Sequence, residues 1–411
     1  MAFGDDPIDE SLMAAWRTFC AQLEQAGERV FKDANPATPL HRADGFRYLA
    51  QNLGQAFDLA LETRNTKFPL FHRFASPLCK LGADNADCIY IQAWIDGESV
   101  YRVTGTKGQA RMWNFTVQGP RPASGGLHDP FGDTPEANIL GNELVTDADG
   151  RFELFIGGER QGQNWLPTTP GSRKIFFRQF FDRFDEEPAQ VTIERAGMNA
   201  PRPMPDPPEL IAAMNWAGDF CFNAVDYWPD FLWKSPLIDS AAINRFAAAN
   251  LSPPTTPLSP EDEEQERRRG RVVTQMHWRL NPDEALVVSF DAFDEFWMLT
   301  NEAIFGNSMD FLYRPVSYSQ GRTPVDSDGR VRLVLAGRDP GLANWIDTQG
   351  FAEGVLNFRN GSTRFLPMIE SETMALADVV QRLPESPRMN ETERTAQMLE
   401  RFRAIKQRFW F

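Results

Sequence analysis

A histidine and an aspartate stand side by side in a long irregular stretch, and together they could do acid–base chemistry. His128 and Asp129 lie between Gln118 and Asn142, in a segment rich in glycine, proline and serine. Imidazole titrates near neutral pH and a neighbouring carboxylate can orient it. Loops longer than ~15 residues between strands are uncommon unless they are functional or disordered. The alternative is that both are solvated loop residues, with Asp129 starting a turn before Pro130.

Two other residues could take part in acid–base chemistry or in binding a charged substrate. His277 lies on a strand-like stretch beside Trp278, and the alternation of a strand puts the two side chains on opposite faces. A buried, hydrogen-bonded neutral histidine is a frequent structural feature, so that role stands beside the catalytic one. Arg111 is permanently charged and could pair with an anionic group. We therefore predict His128, Asp129, Arg111 and His277 as candidate catalytic residues.

Aromatic and amide side chains provide candidates for ligand contacts. Aromatic residues make up 12% of the chain, enough for large cores and for aromatic-lined pockets. Asparagine amides and indole faces commonly hold polar, ring-shaped ligands. Each aromatic side chain could instead face a core, and the recurrence of an Asn-Trp pair later in the chain favours a role in pinning a loop to the fold. The predicted ligand-binding residues are Trp113, Asn164, Trp165, Tyr227 and Trp233.

The sequence has none of the common cofactor or metal motifs. It contains no glycine-rich nucleotide fingerprint, no phosphate-binding P-loop and no G-x-S-x-G elbow. Its four cysteines are scattered, without zinc-type spacing. The run Asp147-x-Asp149-Gly150 resembles the start of a calcium loop, but the other ligands of such a loop do not follow, and an Asp-Gly hairpin turn explains it. We therefore expect neither a cofactor nor a metal ion.

Charge and hydropathy restrict the expected partners and compartment. The formal net charge is −15 at pH 7, which disfavours binding to nucleic acid or to an anionic membrane. The first residues lack the basic and apolar regions of a signal peptide. No apolar run approaches the ~20 residues of a membrane-spanning helix. Together with the scattered cysteines, these features predict a cytoplasmic protein with reduced thiols.

One pattern occurs twice along the chain and predicts much of the fold. Its first copy runs from Asp147 to Arg178 and its second from Asp326 to Arg359. In both copies, D-x-D-G-R is followed by an alternating strand, a small-residue turn, Asn-Trp, a turn glycine and a strand ending in Phe-Arg. The spacings differ only by single residues in turns, which loops tolerate. We therefore predict two related β modules.

Helical patterns flank these modules. Apolar residues at steps of three and four predict helices over 8–32 and 42–63, and a further helix begins at about Glu391, where Asn390 and Glu393 can form a capping box. The predicted domain boundaries are 1–75 for an N-terminal helical cap, 76–197 for the first β-sandwich module, 198–260 for proline-rich linkers and a helical connector, 261–370 for the second module and 371–411 for C-terminal helices.

The last residues of the chain form an apolar tail that could contribute to oligomer formation. Residues Arg408 to Phe411 read Arg-Phe-Trp-Phe, which is too apolar to stay in solvent. We expect the tail to dock on its own domain or on a second subunit. The second possibility favours a homo-oligomer.

The stretch around the first copy resembles a known bacterial family. Six short motifs in this stretch, taken together, are similar to the family called domain of unknown function 1214. Some related proteins contain this domain together with a second domain, numbered 1254. The resemblance spans about residues 80–195, with a weaker version over 272–370. It implies antiparallel jelly-roll-like sandwiches and carries over no activity or catalytic residue. The chain departs from the family pattern at Phe180-Phe-Asp-Arg183. The matching motifs are Ala83-Asp84-Asn85-Ala-Asp87-Cys-Ile-Tyr90, Tyr101-Arg-Val-Thr-Gly105, Asp147-Ala-Asp-Gly150, Asn164-Trp165-Leu-Pro167, Gly171 and Phe176-Phe-Arg178.

Together these features predict a fold class and two kinds of function. The fold is expected to be mainly β with helical additions: two antiparallel jelly-roll-like β-sandwich modules from an internal duplication, with helices before, between and after them. We expect a small-molecule-binding protein or an enzyme of acid–base rather than redox type, closest to a hydrolase or lyase. Its ligand would be a carbohydrate or a flat hydrophobic or aromatic compound. The alternative is a non-catalytic assembly protein that forms an oligomer through its sandwiches and apolar tail.

Overall fold

Helices occupy the two ends of the chain and the connection between two β modules. The computed structural model describes residues 4, 6–120, 133–234, 238–239, 242–247, 260–261, 272–361 and 366–409. Helices α1 to α4 span Pro7–Arg29, Pro39–Phe57, Pro207–Val225 and Tyr227–Trp233, a π-helical turn (Asp58–Glu62) continues α2, and a C-terminal helix spans Glu391–Phe409.

Each of the long helices starts at a capping signal that is local in the sequence. Helices α1, α2 and α3 begin with proline directly after an aspartate or threonine whose side chain accepts a backbone N–H of the first turn. The predicted capping box of the C-terminal helix is confirmed, since Asn390 and Glu393 each accept the other's backbone N–H, at 3.0 and 2.8 Å. No helix among the described residues is long and apolar enough to cross a bilayer.

The strands fall into two consecutive sets. The first module contains β1 to β9, at His72–Ala75, Cys88–Trp94, Tyr101–Thr106, Met112–Pro120, Asp133–Leu140, Arg151–Ile156, Trp165–Leu166, Lys174–Phe180 and Gln190–Arg195. The second module contains β10 to β17, at Val272–Arg279, Glu284–Asp291, Trp297–Glu302, Ser317–Ser319, Arg330–Ala336, Trp345–Asp347, Glu353–Asn360 and Glu370–Ala375.

The two modules have matching sheets. In the first module the strand orders are β1-β2-β8-β4-β5 and β7-β6-β3-β9, and in the second they are β10-β16-β12-β13 and β15-β14-β11-β17. Apart from the extra edge strand β1, the orders correspond strand by strand. Pairing is antiparallel except for the short parallel pairs β6–β7 and β14–β15. The fold is therefore mainly β, with two sandwich modules and helical additions, as the sequence predicted.

Alternating residues of facing sheets form the two sandwich cores. The first core contains Trp113 and Phe177 from one sheet and Phe152 and Leu154 from the other. The second core combines residues such as Trp278 and Phe358 with Leu286 and Leu333 in the same way. These side chains are all buried, which is the main stabilising contribution in each module.

The repeated Asn-Trp pair has the same local role in both modules. The amide of Asn164 donates to the carbonyl oxygens of Val145 and Glu153, at 2.9 Å each, and that of Asn344 donates to two equivalent carbonyls. The indole N–H groups of Trp165 and Trp345 also donate to backbone carbonyls, at 3.1 and 3.0 Å. Both pairs therefore hold a loop against the edge of a sheet.

The helices form one layer that contacts both modules. Helix α3 packs against α1 and α2, and buried residues of all three share an apolar cluster with Phe74 of the first module and Phe305 of the second. At the other end of the chain, Phe409 is buried and packs against Phe311 within the same chain. Trp410 and Phe411, the end of the predicted docking tail, lie outside the described residues.

Candidate functional site

Among the described residues, the sequence-predicted site residues of the first module do not form a shared site. His128 and Asp129 lie outside the described residues. Arg111 is exposed just before β4. Trp113 is 4% exposed and packs within the sandwich core, with its ring centroid 5.5 Å from that of Phe152. Asn164 and Trp165 have their polar groups engaged by the backbone.

One predicted residue of the helical connector contacts one of the second module. Trp233, at the end of α4, lies edge-on to His277 with ring centroids 4.6 Å apart, and its indole N–H donates to the carbonyl of Ile304. Tyr227 begins the same helix and stacks on Phe231 instead, at 5.9 Å. Trp233 is therefore the predicted ligand-binding aromatic that contacts a predicted catalytic residue within the part of the chain that the structure describes.

His277 also meets a carboxylate and lies close to an arginine. Its Nε2 donates to Glu353 Oε2 at 2.9 Å, and Arg279 reaches the same oxygen at 3.0 Å. His277 is 7% exposed. The hydrogen bond from His277, together with that from Arg279, lowers the pKa of Glu353 to about 2. The imidazole is thus oriented by a stable anion, which is an arrangement suited to acid–base chemistry.

A buried glutamate that sequence reasoning missed lies on the same sheet face. Val355 of β16 pairs with both His277 of β10 and Glu302 of β12, so the three side chains share one face. Glu302 is 1% exposed and accepts hydrogen bonds from Asn357 and Arg359, at 2.9 and 3.2 Å. Burial raises its pKa to about 7, although Arg359 opposes that shift.

The space on this face is small. A cavity of about 10 Å³ lies between α4 and the sheet, lined by Trp233, Gln275, Glu302 and Val355 among others. That volume suits a single water molecule. Glu302 and Trp233 therefore line a small closed cavity, and His277 contacts the ring of Trp233.

Substitution of the buried glutamate is expected to change how stability depends on pH. In the folded state Glu302 keeps its proton up to about pH 7, whereas in the unfolded chain it loses the proton above its ordinary pKa of 4.5. Wild-type stability should therefore fall as pH rises from 4.5 to 7, relative to Glu302→Gln, which is always neutral. Urea unfolding should show the variant gaining about 2–3 kcal/mol over this window.

The opposite pH trend would contradict this assignment. If Glu302→Gln lost stability relative to wild type as pH rose from 5 to 7, Glu302 would be acting as an ionised partner of Arg359. Glu295→Gln is a suitable control, since Glu295 is exposed.

Another cavity lies between the modules, and we call it the inter-module pocket. Its volume is about 440 Å³, within the range of sites for small organic ligands. It is lined by residues of three segments: 183–185 after β8, 315–322 around β13, and 397–401 of the C-terminal helix. Three arginines, Arg183, Arg322 and Arg401, are among the lining residues, and Arg183 is exposed.

Arg401 is a buried cation in this pocket without an adjacent carboxylate. It is 3% exposed, and it donates only to neutral oxygens, those of Ser317 and the carbonyl of Phe311. Its Nε has no hydrogen-bond partner among the described residues, and none of their carboxylates lies within 4.0 Å of its guanidinium. Burial lowers its pKa to about 10, so it stays protonated at neutral pH.

Arg322 lies beside it and is better satisfied. Its Nε donates to the carbonyl of Asp182 at 2.9 Å and to Ser319 at 3.0 Å, and its Nη2 lies 2.5 Å from a carboxylate oxygen of Asp87. The guanidinium carbons of Arg322 and Arg401 lie 4.6 and 5.5 Å from the ring centroid of Phe184. Contacts between a cation and the face of an aromatic ring are attractive, so Phe184 helps to hold both side chains in place.

Asp87 supplies the shared negative charge behind the pocket. Burial would raise the pKa of Asp87, but Arg322, Arg401 and Arg408 together hold it below its usual value. Burial also lowers the pKa of Arg408 to about 10. The nearby Asp182 and Glu186 accept backbone N–H groups, of Gly321 and of Arg183 respectively. Asp87 is therefore the main counter-charge for three buried arginines.

A comparison with protein families bears on the first module. Residues 91–181 match the family described as protein of unknown function, DUF1214. The DUF1214 region runs from β2 to the end of β8, so it covers most of the first sandwich, as the sequence resemblance indicated. It contains none of the residues that line the inter-module pocket. The family match therefore supports the fold and leaves the pocket to be argued from its own geometry.

Solved structures extend the comparison beyond the DUF1214 region. An uncharacterized protein from Burkholderia cenocepacia is 26% identical, with a TM-score of 0.78, over 90% of this chain and 99% of its own. The VPA0106 protein from Vibrio parahaemolyticus is 12% identical over 85% of this chain and 99% of its own, with a TM-score of 0.41. No curated protein matches the chain. The first similarity includes almost the whole architecture.

The pocket residues were missed at the sequence level for a clear reason. Asp87 belongs to the Asp-Asn-x-Asp stretch that resembles the family, but its partners Arg322 and Arg401 come from the second module and the C-terminal helix. The C-terminal helix carries many charged residues, so Arg401 does not stand out in the sequence.

Proposed function

We propose that the protein binds a small anionic molecule in the inter-module pocket. The observation that carries the proposal is Arg401, a buried guanidinium that lines an open cavity while one of its N–H groups lacks a partner among the described residues. Buried charges are normally paired, and an unsatisfied buried donor needs an explanation. An anion entering the cavity would supply a negative charge beside this guanidinium.

Binding is a better supported activity for this pocket than catalysis. Its lining includes Tyr318, whose hydroxyl already donates towards the carbonyls of Ala343 and Trp345. The carboxylates on its rim, Asp185 and Glu400, are exposed. None of these is an oriented general acid or base of the kind formed by His277 and Glu353.

The proposal can be tested by ligand-dependent stabilisation. A thermal-shift screen with acetate, phenylacetate and inorganic phosphate should find an anion that raises the Tm, and the shift should disappear in Arg401→Gln. An anion present at 100 times its Kd would stabilise the folded state by about 2.7 kcal/mol. Arg403→Gln is the matched control, because Arg403 is exposed on the same helix and its loss changes the net charge equally. Equal shifts in wild type and Arg401→Gln would overturn the proposal.

An acid–base enzyme is the second candidate. An enzymatic function is favoured by the hydrogen bond between His277 and Glu353. Glu302 lies on the same sheet face, and the ring of Trp233 packs edge-on against His277. The reaction would be of the hydrolase or lyase type, with His277 exchanging a proton with the substrate. For chemistry to occur, α4 would have to move, since the cavity beneath it measures about 10 Å³.

A further inference from the structure

We infer that the ligand of the inter-module pocket is an organic monocarboxylate with an apolar body. This inference rests on the proposed function and narrows it to one chemical class. The alternatives within anions are phosphate and its esters, and highly hydroxylated acids such as sugar acids. Charge, the shape of the walls and the supply of hydrogen bonds each distinguish between them.

The charge of the pocket favours a single negative charge. Of the arginines that line the pocket, Arg322 contacts Asp87 directly, at 2.5 Å, and Arg183 pairs with Asp185, at 3.0 Å. Arg401 is therefore the lining guanidinium that has no adjacent carboxylate among the described residues. A dianion would carry one negative charge more than this guanidinium can neutralise, whereas a monoanion matches it.

One part of the wall is apolar and can contact the body of a ligand. Phe184, Pro315 and Met398 all line the cavity, and Phe184 and Met398 are only partly buried. Methionine adapts to irregular apolar shapes, and an aromatic ring offers a flat surface to pack on. A ligand that placed its carboxylate at Arg401 would lay the rest of the molecule along these three side chains.

Several hydrogen-bonding groups in the interior of the pocket are already engaged. The hydroxyl of Tyr318 donates to backbone carbonyls at 3.0 and 2.9 Å, and Ser317 already contacts Arg401 at 3.2 Å. The backbone N–H of Gly321 is bonded to Asp182. A sugar acid would therefore lose more hydrogen bonds to water than it regained in the pocket.

Calorimetric titration with matched probes tests the class. We expect phenylacetate to bind at least about tenfold more tightly than 2-phenylethanol, its neutral analogue, since a charge-assisted hydrogen bond is stronger than a neutral one. Glucuronate, which keeps the carboxylate but lacks the apolar body, and phenyl phosphate, which keeps the ring but carries more charge, should also bind at least about tenfold more weakly than phenylacetate.

Two variants connect binding to this pocket. Arg401→Gln should abolish phenylacetate binding. Because that change also removes buried hydrogen bonds, Met398→Glu provides a second variant, which adds a repelling carboxylate to the wall while leaving Arg401 in place. Met398→Leu keeps the apolar wall and should bind phenylacetate as wild type does.

The outcomes distinguish a wrong ligand class from a wrong proposed function. If phenyl phosphate or glucuronate binds more tightly than phenylacetate, and Arg401→Gln and Met398→Glu both lose that binding, the pocket holds an anion but the inferred class is wrong. If no anion binds, or if binding survives in both variants, the inference and the proposed function both fail. Preferential phenylacetate binding that is lost in both variants supports both.

Discussion

Asp87→Asn is expected to lower the free energy of unfolding by about 3–5 kcal/mol, because breaking a buried ion pair leaves an uncompensated charge. Asp87 is 1% exposed and is the shared counter-charge of Arg322, Arg401 and Arg408. All three arginines stay protonated near neutral pH, so they cannot relieve the repulsion by losing a proton. Urea unfolding at pH 7 measures the effect.

Two further variants make this expectation specific. Asp185→Asn is the control, since Asp185 is exposed and pairs only with the exposed Arg183, at 3.0 Å; it should change stability little. Adding Arg322→Met to Asp87→Asn should restore part of the loss, since one of the unpaired cations is then gone. An Asp87→Asn variant as stable as Asp185→Asn would show that the arginines do not depend on this carboxylate.

Asp84→Asn is expected to cost a similar amount, about 3–5 kcal/mol near neutral pH, through a second buried cluster that joins the modules. Asp84 accepts the backbone N–H of Ser308 at 2.9 Å and its hydroxyl at 2.5 Å, and the ammonium of Lys80 donates to that hydroxyl at 2.7 Å. Lys80 is 3% exposed. Asparagine would remove the carboxylate that lies 3.8 Å from this buried ammonium.

The pH dependence of this variant provides a second readout. Burial lowers the pKa of Lys80 to about 8, below its ordinary value of 10.5. Above pH 8 the folded protein loses this proton, so the difference in unfolding free energy between wild type and Asp84→Asn should shrink. Glu372→Gln is the control, because Glu372 pairs with Arg382 on the surface. A constant difference from pH 7 to pH 9 would show that the charge of Lys80 is not involved.

Local patterns in the sequence were sufficient for the elements and for the matching modules. The capping side chains, the alternation of the strands and the repeated Asn-Trp pair all act over a few residues or within one module. Asn164 and Asn344, for example, hold backbone groups within about 20 positions of themselves. Signals of this kind predict structure well, because the interacting groups are close in the chain whatever the rest of the protein does.

The direction of individual side chains was less predictable. Trp113 could have lined a groove or filled a core, and period-two alternation alone does not say which face of a sheet a second sheet covers. The structure places it among Phe115, Phe152 and Phe177. His277 was a candidate on the basis of its type, but its partner Glu353 is on a strand far along the chain.

The mainly β architecture, the two related modules and the local role of their repeated turns could all be predicted from the sequence. The polar contacts between distant parts of the chain could not. These contacts join Asp87 to Arg322 and Arg401, Asp84 to Lys80 and Ser308, and His277 to Glu353. The physical reason is that these contacts depend on how whole modules and helices dock. That docking is set by the shapes of their packed surfaces, and no short stretch of sequence encodes it.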